Sequence, residues 1–173
     1  MIRLDADMAS DTRLVVLCGS SFSGKSTVAR ALAPRLAATI VSLDEINERR
    51  GLWGGDGIPV EEWMQTHELA SAEVRGLLGS GTSVIVDDTS SPRFLRDGWR
   101  LLAEVAGVRF TLVYVDVDHA TIRRRRADNQ QDPRRRDVAD AVLDQHLAEF
   151  EPPGADEHAV RMESAADLQY LRI

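Results

Sequence analysis

An α/β domain built on a parallel sheet is what this chain predicts, from two observations. Short apolar runs alternate with helical patterns along most of its length, and a glycine-rich turn stands between the first run and the first helix. The apolar runs Arg13 to Cys18, Thr39 to Leu43, Ser83 to Val86 and Phe110 to Val115, with a weaker one at His158 to Met162, read as buried parallel strands. Strand, helix, strand in alternation requires right-handed crossovers and helices on both faces of the sheet.

The intervening helices follow from spacing. Lys25 to Ala37 succeeds the glycine turn, and Val60 to Leu78 sets Trp63, His67, Ala70, Val74 and Leu77 near one face. Pro92 to Val105 begins with a proline suited to a first turn. Gly51 to Pro59, with four glycines in nine residues, predicts a mobile loop. Asp128 to Asp137 is polar, arginine-rich and broken by Pro133, so it predicts a connection between two helices over the top of the sheet. Both segments are candidate walls or lids of one cleft.

With 173 residues, 43% hydrophobic and 28% charged, the chain predicts one domain, 1–173, in which 1–11 is an N-terminal extension and 128–137 a lid. Its net charge of −7 argues against broad attraction to nucleic acid or anionic membrane. Met1 to Asp11 has no apolar run, so it lacks the pattern of a secretory signal, and no segment approaches the roughly 20 apolar residues of a membrane span. The lone Cys18 makes no internal disulfide and reads as packing at a strand end, which fits a reducing cytoplasm. Of the 21 basic residues only Lys25 is a lysine.

Lys25 stands where chemistry calls for it. Gly19, Ser20, Ser21, Phe22, Ser23, Gly24, Lys25, Ser26 and Thr27 match G-x-x-x-x-G-K-[ST], the P-loop pattern, after an apolar strand and before a helix. Glycines at both ends permit backbone angles that aim successive N–H groups inward at phosphate oxygens, and the helix start adds positive potential. The expected ligands are ATP and Mg²⁺, with Lys25 on the β- and γ-phosphates and the Ser26 hydroxyl on the metal.

In open parallel sheets the ligand lies beyond the C-terminal strand ends, where Asp44, Asp87 and Asp88 fall. Val84-Ile-Val-Asp87 is the weak Walker B pattern, whose carboxylate holds Mg²⁺ directly or through water. Asp44 has two readings: a general base taking the proton of an attacking hydroxyl, or the N-cap of a helix starting at Glu45. Seven arginines lie between Arg123 and Arg136; an arginine fork over the γ-phosphoryl group stabilises its developing charge, whereas most such side chains simply solvate a helix. Trp53 is a candidate wall of an acceptor pocket, Trp63 and Trp99 read as core, and the four histidines show no metal-ligand spacing.

Gly19 to Thr27, Ser42-Leu-Asp44, Val84-Ile-Val-Asp87-Asp88-Thr89 and Phe110 to Val115 with the arginine-rich Ile122 to Asp137 together resemble the small P-loop kinases. The nearest likeness is to the polynucleotide-kinase-like and zeta-toxin-like group, which includes the chloramphenicol phosphotransferases. That resemblance spans Arg13 to about Glu157 and implies a five-stranded sheet in the order 2-3-1-4-5. It also implies a general base at Asp44, an acid near metal and acceptor at Asp87, and lid arginines around the transferred group. Two departures stand out. Asn47 occupies the place of an arginine that holds a substrate phosphate, with Arg49 and Arg50 as candidate substitutes. Arg125 matches the first lid arginine while Asn129 occupies the second, leaving Arg134, Arg135 or Arg136 to supply the missing charge.

The resulting expectation is a cytoplasmic, monomeric or weakly dimeric enzyme moving the γ-phosphate of ATP to a small-molecule hydroxyl. Lys25, Asp44, Arg125 and Arg134 are its expected catalytic residues, and Ser26 and Asp87 its metal ligands. A polynucleotide or RNA 5′-hydroxyl kinase is the alternative within enzymes. A nucleotide-dependent switch with slow hydrolysis is the alternative outside them.

Overall fold

The computed structural model describes residues 12–53, 57–133 and 136–171. Five strands, β1 (Arg13–Cys18), β2 (Thr39–Ser42), β3 (Val84–Asp87), β4 (Arg109–Val115) and β5 (Val160–Met162), form one sheet in the order β2-β3-β1-β4-β5, every neighbour parallel. This is the order the resemblance implied. Helices α1 (Lys25–Leu36), α2 (Leu43–Arg49), α3 (Val60–Gly79), α4 (Arg93–Ala106), α5 (His119–Gln131) and α6 (Asp140–Glu149) lie among the strands in sequence. Two 3₁₀ turns, Ala155–Glu157 and Ala165–Tyr170, flank β5.

β1 is buried along its whole length because it sits mid-sheet with helices on both faces. Its alternation divides the core: Leu14, Val16 and Cys18 meet Ala70, Val74, Trp99 and Ala103 on one face. Val15 and Leu17 meet Val28, Ala29 and Leu32 of α1 on the other. A third, smaller cluster joins Phe22 of the glycine loop to Ile122, Val138, Leu143 and Leu147. The α5–α6 region is thereby packed directly on the loop.

Some expected boundaries shift. Ser42 closes β2 and caps α2, its side chain accepting from Glu45 N at 3.4 Å, so Asp44 lies in the first helical turn and is not the cap. Pro92 occupies the N-cap position of α4 rather than its first turn. α5 continues to Gln131, so only the second part of the expected 128–137 lid is connection.

The sheet's C-terminal edge is fixed by one buried ion pair. Arg96 of α4 donates from Nε and Nη2 to Glu157 at 2.6 and 2.8 Å, with both side chains almost completely buried. Its Nη1 also donates to the carbonyls of Ser90 and Glu151, each at 3.0 Å, and to that of Ser91. These bonds hold the Glu157 carboxyl below its ordinary value of 4.5, against the opposing effect of burial. Folding then stabilises the ionised form, a contribution present above about pH 4.5 and lost as pH falls through the lower folded value.

Arg96→Met, which leaves Glu157 charged and unpaired in the interior, is expected to destabilise the fold by about 3–5 kcal/mol in urea unfolding at pH 7. The stability difference between wild type and Glu157→Gln is expected to shrink as the same titration is repeated at successively lower pH below 4.5.

Candidate functional site

At the end of β1 the chain must turn sharply, and Gly19 makes this possible. A Cβ there would stand 2.7 Å from the Val115 carbonyl oxygen and 2.9 Å from Ser23 Oγ. Gly24, at φ 104°, opens α1 without any side-chain cap, and the first turn carries no acidic residue. The first-turn N–H groups therefore face outward with the helix's positive end intact, the arrangement that receives an anion. Phe22 holds φ 61°, a left-handed conformation that a bulky residue adopts only when its surroundings compel it. Here the compulsion is burial of its ring in the α5–α6 cluster.

The structure distributes the loop's residues unequally. Ser21, Lys25 and Ser26 line a cleft of about 140 Å³. Ser20 and Ser23 are buried, Phe22 points into the cluster, and Thr27 is exposed. Lys25 Nζ donates to the Ser20 carbonyl at 2.9 Å. Ser23 Oγ is buried without a hydrogen-bond partner among the described residues, beside the space that a Gly19 Cβ would fill. A cradle kept open and lined with donors fits the phosphates of a nucleotide.

Asp44 and Asn47 of α2 line the same cleft, with Asp87 at the end of β3 and Asp88 and Thr89 after it. β2 and β3 run in register to Ser42 and Asp87, which sets the start of α2 beside Asp87. Gly19 N donates to Thr89 O at 3.1 Å and Cys18 Sγ to Ser90 O at 3.5 Å, tying the acidic loop to the cradle. Burial pushes the Cys18 thiol up to about 12, so it remains a protonated donor. Ser26 and Asp87 lie on the same cleft and are the side chains suited to a Mg²⁺ ion shared with phosphate oxygens. Among the described residues no group of three or more His, Cys, Asp or Glu is placed to hold a metal by itself.

The rest of the lining is largely apolar and aromatic: Trp53, Ile58, Trp63 and Val138. Trp63, expected in the core, faces this cleft instead, because α3 turns one tryptophan outward while Trp99 of α4 fills the interior. The two sandwich His67, whose ring centroid lies 4.0 Å from that of Trp63 and 6.0 Å from that of Trp99. His67 Nε2 stands 3.7 Å from Asp88 Oδ2. Burial holds it below the ordinary imidazole value, Asp88 opposing. His146 of α6 completes the roof, and burial lowers it too, with Glu149 opposing and Lys25 adding to the shift.

The arginines sort themselves by partner. Arg125 Nη1 donates to Ser23 O at 2.5 Å and Phe22 O at 3.2 Å, so in this structure it braces the cradle wall from behind. Arg126 grips Asp137 at 3.0 and 3.1 Å and also Asp140, tying the start of α6 and the residues before it to α5. Arg49 pairs with Glu73, and Arg50 with Glu62 and Gln65, so both candidate substitutes for the Asn47 position are bound to α3. Asn47 itself is buried, accepting from Thr66 Oγ1 at 2.5 Å. Arg134 and Arg135 lie outside the described residues, as do 54–56 of the glycine loop and the 1–11 extension.

Asp88 was visible in sequence only as the neighbour of Asp87. His146 and Val138 gave no signal, since a helix folding back over the cleft brings them there. The sheet order, the loop after its central strand and the acids at neighbouring strand ends define a P-loop α/β protein of kinase-like build.

A model of the AAA domain family matches residues 14–153, and the chain belongs to that family. The Arabidopsis thaliana protein named Protein KTI12 homolog is 30% identical over 151 residues, 81% of this chain and 47% of its own length; the chain thus spans about half of that curated relative. Among solved structures, the Mycobacterium tuberculosis APS kinase CysC in complex with AMPPNP and APS superposes with a TM-score of 0.67 at 19% identity, covering 92% of this chain and 96% of that one. A sugar kinase from Janibacter sp. HTCC2649 gives 0.65 at 20%, covering 90% and 86%. The Pnkp1/Rnl/Hen1 RNA repair complex gives 0.66 at 21%, covering 86% and 50%. At these identities what is shared is the fold. Among the described residues no helix is long and apolar enough to cross a membrane.

Gly19→Ala places a methyl group against the Val115 carbonyl and into the cradle. Calorimetric titration with AMPPNP is expected to show affinity reduced by about a hundredfold or more, equivalent to some 3 kcal/mol.

Proposed function

We propose that this chain is an ATP-dependent phosphotransferase that moves the γ-phosphate to a hydroxyl of a small-molecule acceptor. The observation that carries this reading is that Ser21, Lys25 and Ser26 of the cradle share one cleft with Asp44, Trp53 and Trp63. Nucleotide and acceptor would meet there with the reacting groups between them.

In this reading the acceptor oxygen attacks the γ-phosphorus, the bond to the β–γ bridging oxygen breaks, and ADP leaves. Asp44 accepts the hydroxyl proton, a role its exposed position at the cleft permits. Lys25 and the open N-terminus of α1 offset charge on the phosphates. A Mg²⁺ ion held through Ser26 and Asp87 supplies further neutralisation of phosphate charge when bound. Arg125 keeps the loop in its receptive shape, and the arginines at 134–136 are the proposed source of the fork over the transferred group.

Two rivals are weighed by what surrounds Asp44. A 5′-hydroxyl kinase acting on nucleic acid needs cations to hold the substrate backbone, whereas Arg49 and Arg50 are spent on α3 and Asn47 on Thr66. A switch that only binds and slowly hydrolyses nucleotide has no use for a walled space beyond the γ-phosphate, and the Trp53 and Trp63 walls speak for an acceptor.

Asp44→Asn is expected to lower acceptor-dependent kcat by about 10² to 10⁴ while the affinity for AMPPNP stays within about twofold of wild type. ADP release measured against a panel of hydroxyl compounds, with radiolabelled 5′-hydroxyl oligonucleotides as the opposing arm, checks it. Full activity of the variant overturns the assigned base, and efficient oligonucleotide labelling moves the assignment to nucleic acid.

A further inference from the structure

Strand β4 is paired unequally on its two sides. β1 accompanies it from Arg109 to Tyr114, whereas β5 begins at Val160, opposite Val113. Asp116 N donates to Met162 O at 2.8 Å, so the residues whose N–H and C=O groups turn to the β5 side alternate back along β4 through Tyr114 and Leu112 to Phe110. Among the described residues no strand pairs with Phe110 on that side. The ladder stops there for a structural reason. The chain before β5 is the 3₁₀ turn Ala155–Glu157, held by the buried Arg96–Glu157 pair, and His158 stands at φ 51°, a left-handed conformation that a strand does not contain.

This edge opens on a cavity of about 420 Å³ whose lining includes Arg13, Arg100, Arg109, Phe110 and Thr111. The one carboxylate in the lining, Glu157, is neutralised by Arg96. Three guanidinium charges are therefore gathered at one place in a chain whose net charge is −7. Arg13 and Arg109 are partners in the β1–β4 register, and like charges set directly opposite repel unless an anion lies near. Alternation places that pair on the face of the sheet that Val113 shares with α1. Arg100 of α4 lies on the other face, over the Phe110 ring at 4.6 Å from its centroid. Cations thus flank both faces of an edge that itself offers backbone donors and acceptors.

We propose that this edge docks an acidic segment of a partner protein, which adds as an extended strand beside Phe110. Its consecutive carboxylates go to Arg13 and Arg109 on one face and to Arg100 on the other. Backbone pairing supplies the affinity and the arginines select for charge. The edge lies at the N-terminal half of β4, whereas the cleft lies beyond the C-terminal ends of β2 and β3, so a docked segment leaves the cleft open.

The probe is a fluorescein-labelled octapeptide of glutamates around a central Ala-Ala, followed by fluorescence anisotropy with the full chain in about 0.15 M salt. A charge-matched peptide with central Pro-Pro is expected to bind at least about tenfold more weakly, because proline cannot donate to a ladder. The lysine counterpart is expected not to bind measurably. Arg109→Glu is expected to weaken the Ala-Ala peptide about tenfold or more, with a melting temperature no lower than wild type and AMPPNP affinity within about twofold. Bound peptide is also expected to slow hydrogen exchange at the Phe110 amide about tenfold and leave Thr111, whose N–H faces β1, unchanged.

Equal binding of the Ala-Ala and Pro-Pro peptides reduces the contact to charge attraction and overturns the proposal. Displacement of the peptide by an equal concentration of inorganic phosphate overturns it too, marking a site for small anions. So do indifference to Arg109→Glu, unchanged exchange at Phe110, or absence of binding. None of these outcomes bears on phosphotransfer, which is read separately from ADP release.

Discussion

Buried Arg96 is the contact on which the geometry of the cleft depends. It lies at the start of α4, yet its donors reach Glu157, Glu151, Ser90 and Ser91, segments far apart in the chain. A charge so deeply buried persists only when its partner and its remaining donors are all satisfied, and here they are. The loop after β3 is thereby immobilised. Ser90 sits at φ 45°, a strained conformation held from one side by Asp88 and from the other by Arg96 and Cys18. Asp87 and Asp88 owe their aim to that arrangement.

The cradle is held by a different kind of force. Phe22 buries its ring among Ile122, Val138, Leu143 and Leu147, so the α5–α6 region and the loop share one small apolar core. Arg125 adds hydrogen bonds to the carbonyls of Phe22 and Ser23. Movement of α5 or α6 is therefore felt by the residues that face the phosphates. His146 of α6 is carried with them, close enough for Lys25 to lower its proton affinity. Polar anchoring fixes the acidic side of the cleft, and apolar packing links the phosphate side to α5 and α6.

Much of this was legible in the chain itself. The five strands and the cradle from Gly19 to Thr27 follow from contiguous patterns, since a buried parallel strand is an apolar run and a phosphate loop is one short stretch with a glycine at each end. The acids at strand ends were legible for the same reason. Trp63 was misread because helical periodicity places it on the face it shares with Ala70 and Val74 without telling how far the core extends along that face. Asp44 was read as a possible cap because nothing local distinguished it from Ser42, which took that position. Arg49 and Arg50 looked like substrate contacts until α3 claimed them.

By itself, then, the sequence determined the α/β sheet, the loop at the end of its central strand and the acids that border it, all encoded within a few neighbouring residues. Only the tertiary structure decided what faces the cradle across the cleft. Asp44, Trp63, Asp88 and His146 come from α2, α3, the loop after β3 and α6, and no spacing along the chain relates them. They converge because the sheet order sets β2 beside β3, Arg96 pins the acidic loop, and Phe22 draws α6 over the cleft. Long-range packing, with its interactions between distant segments, does what local propensity cannot.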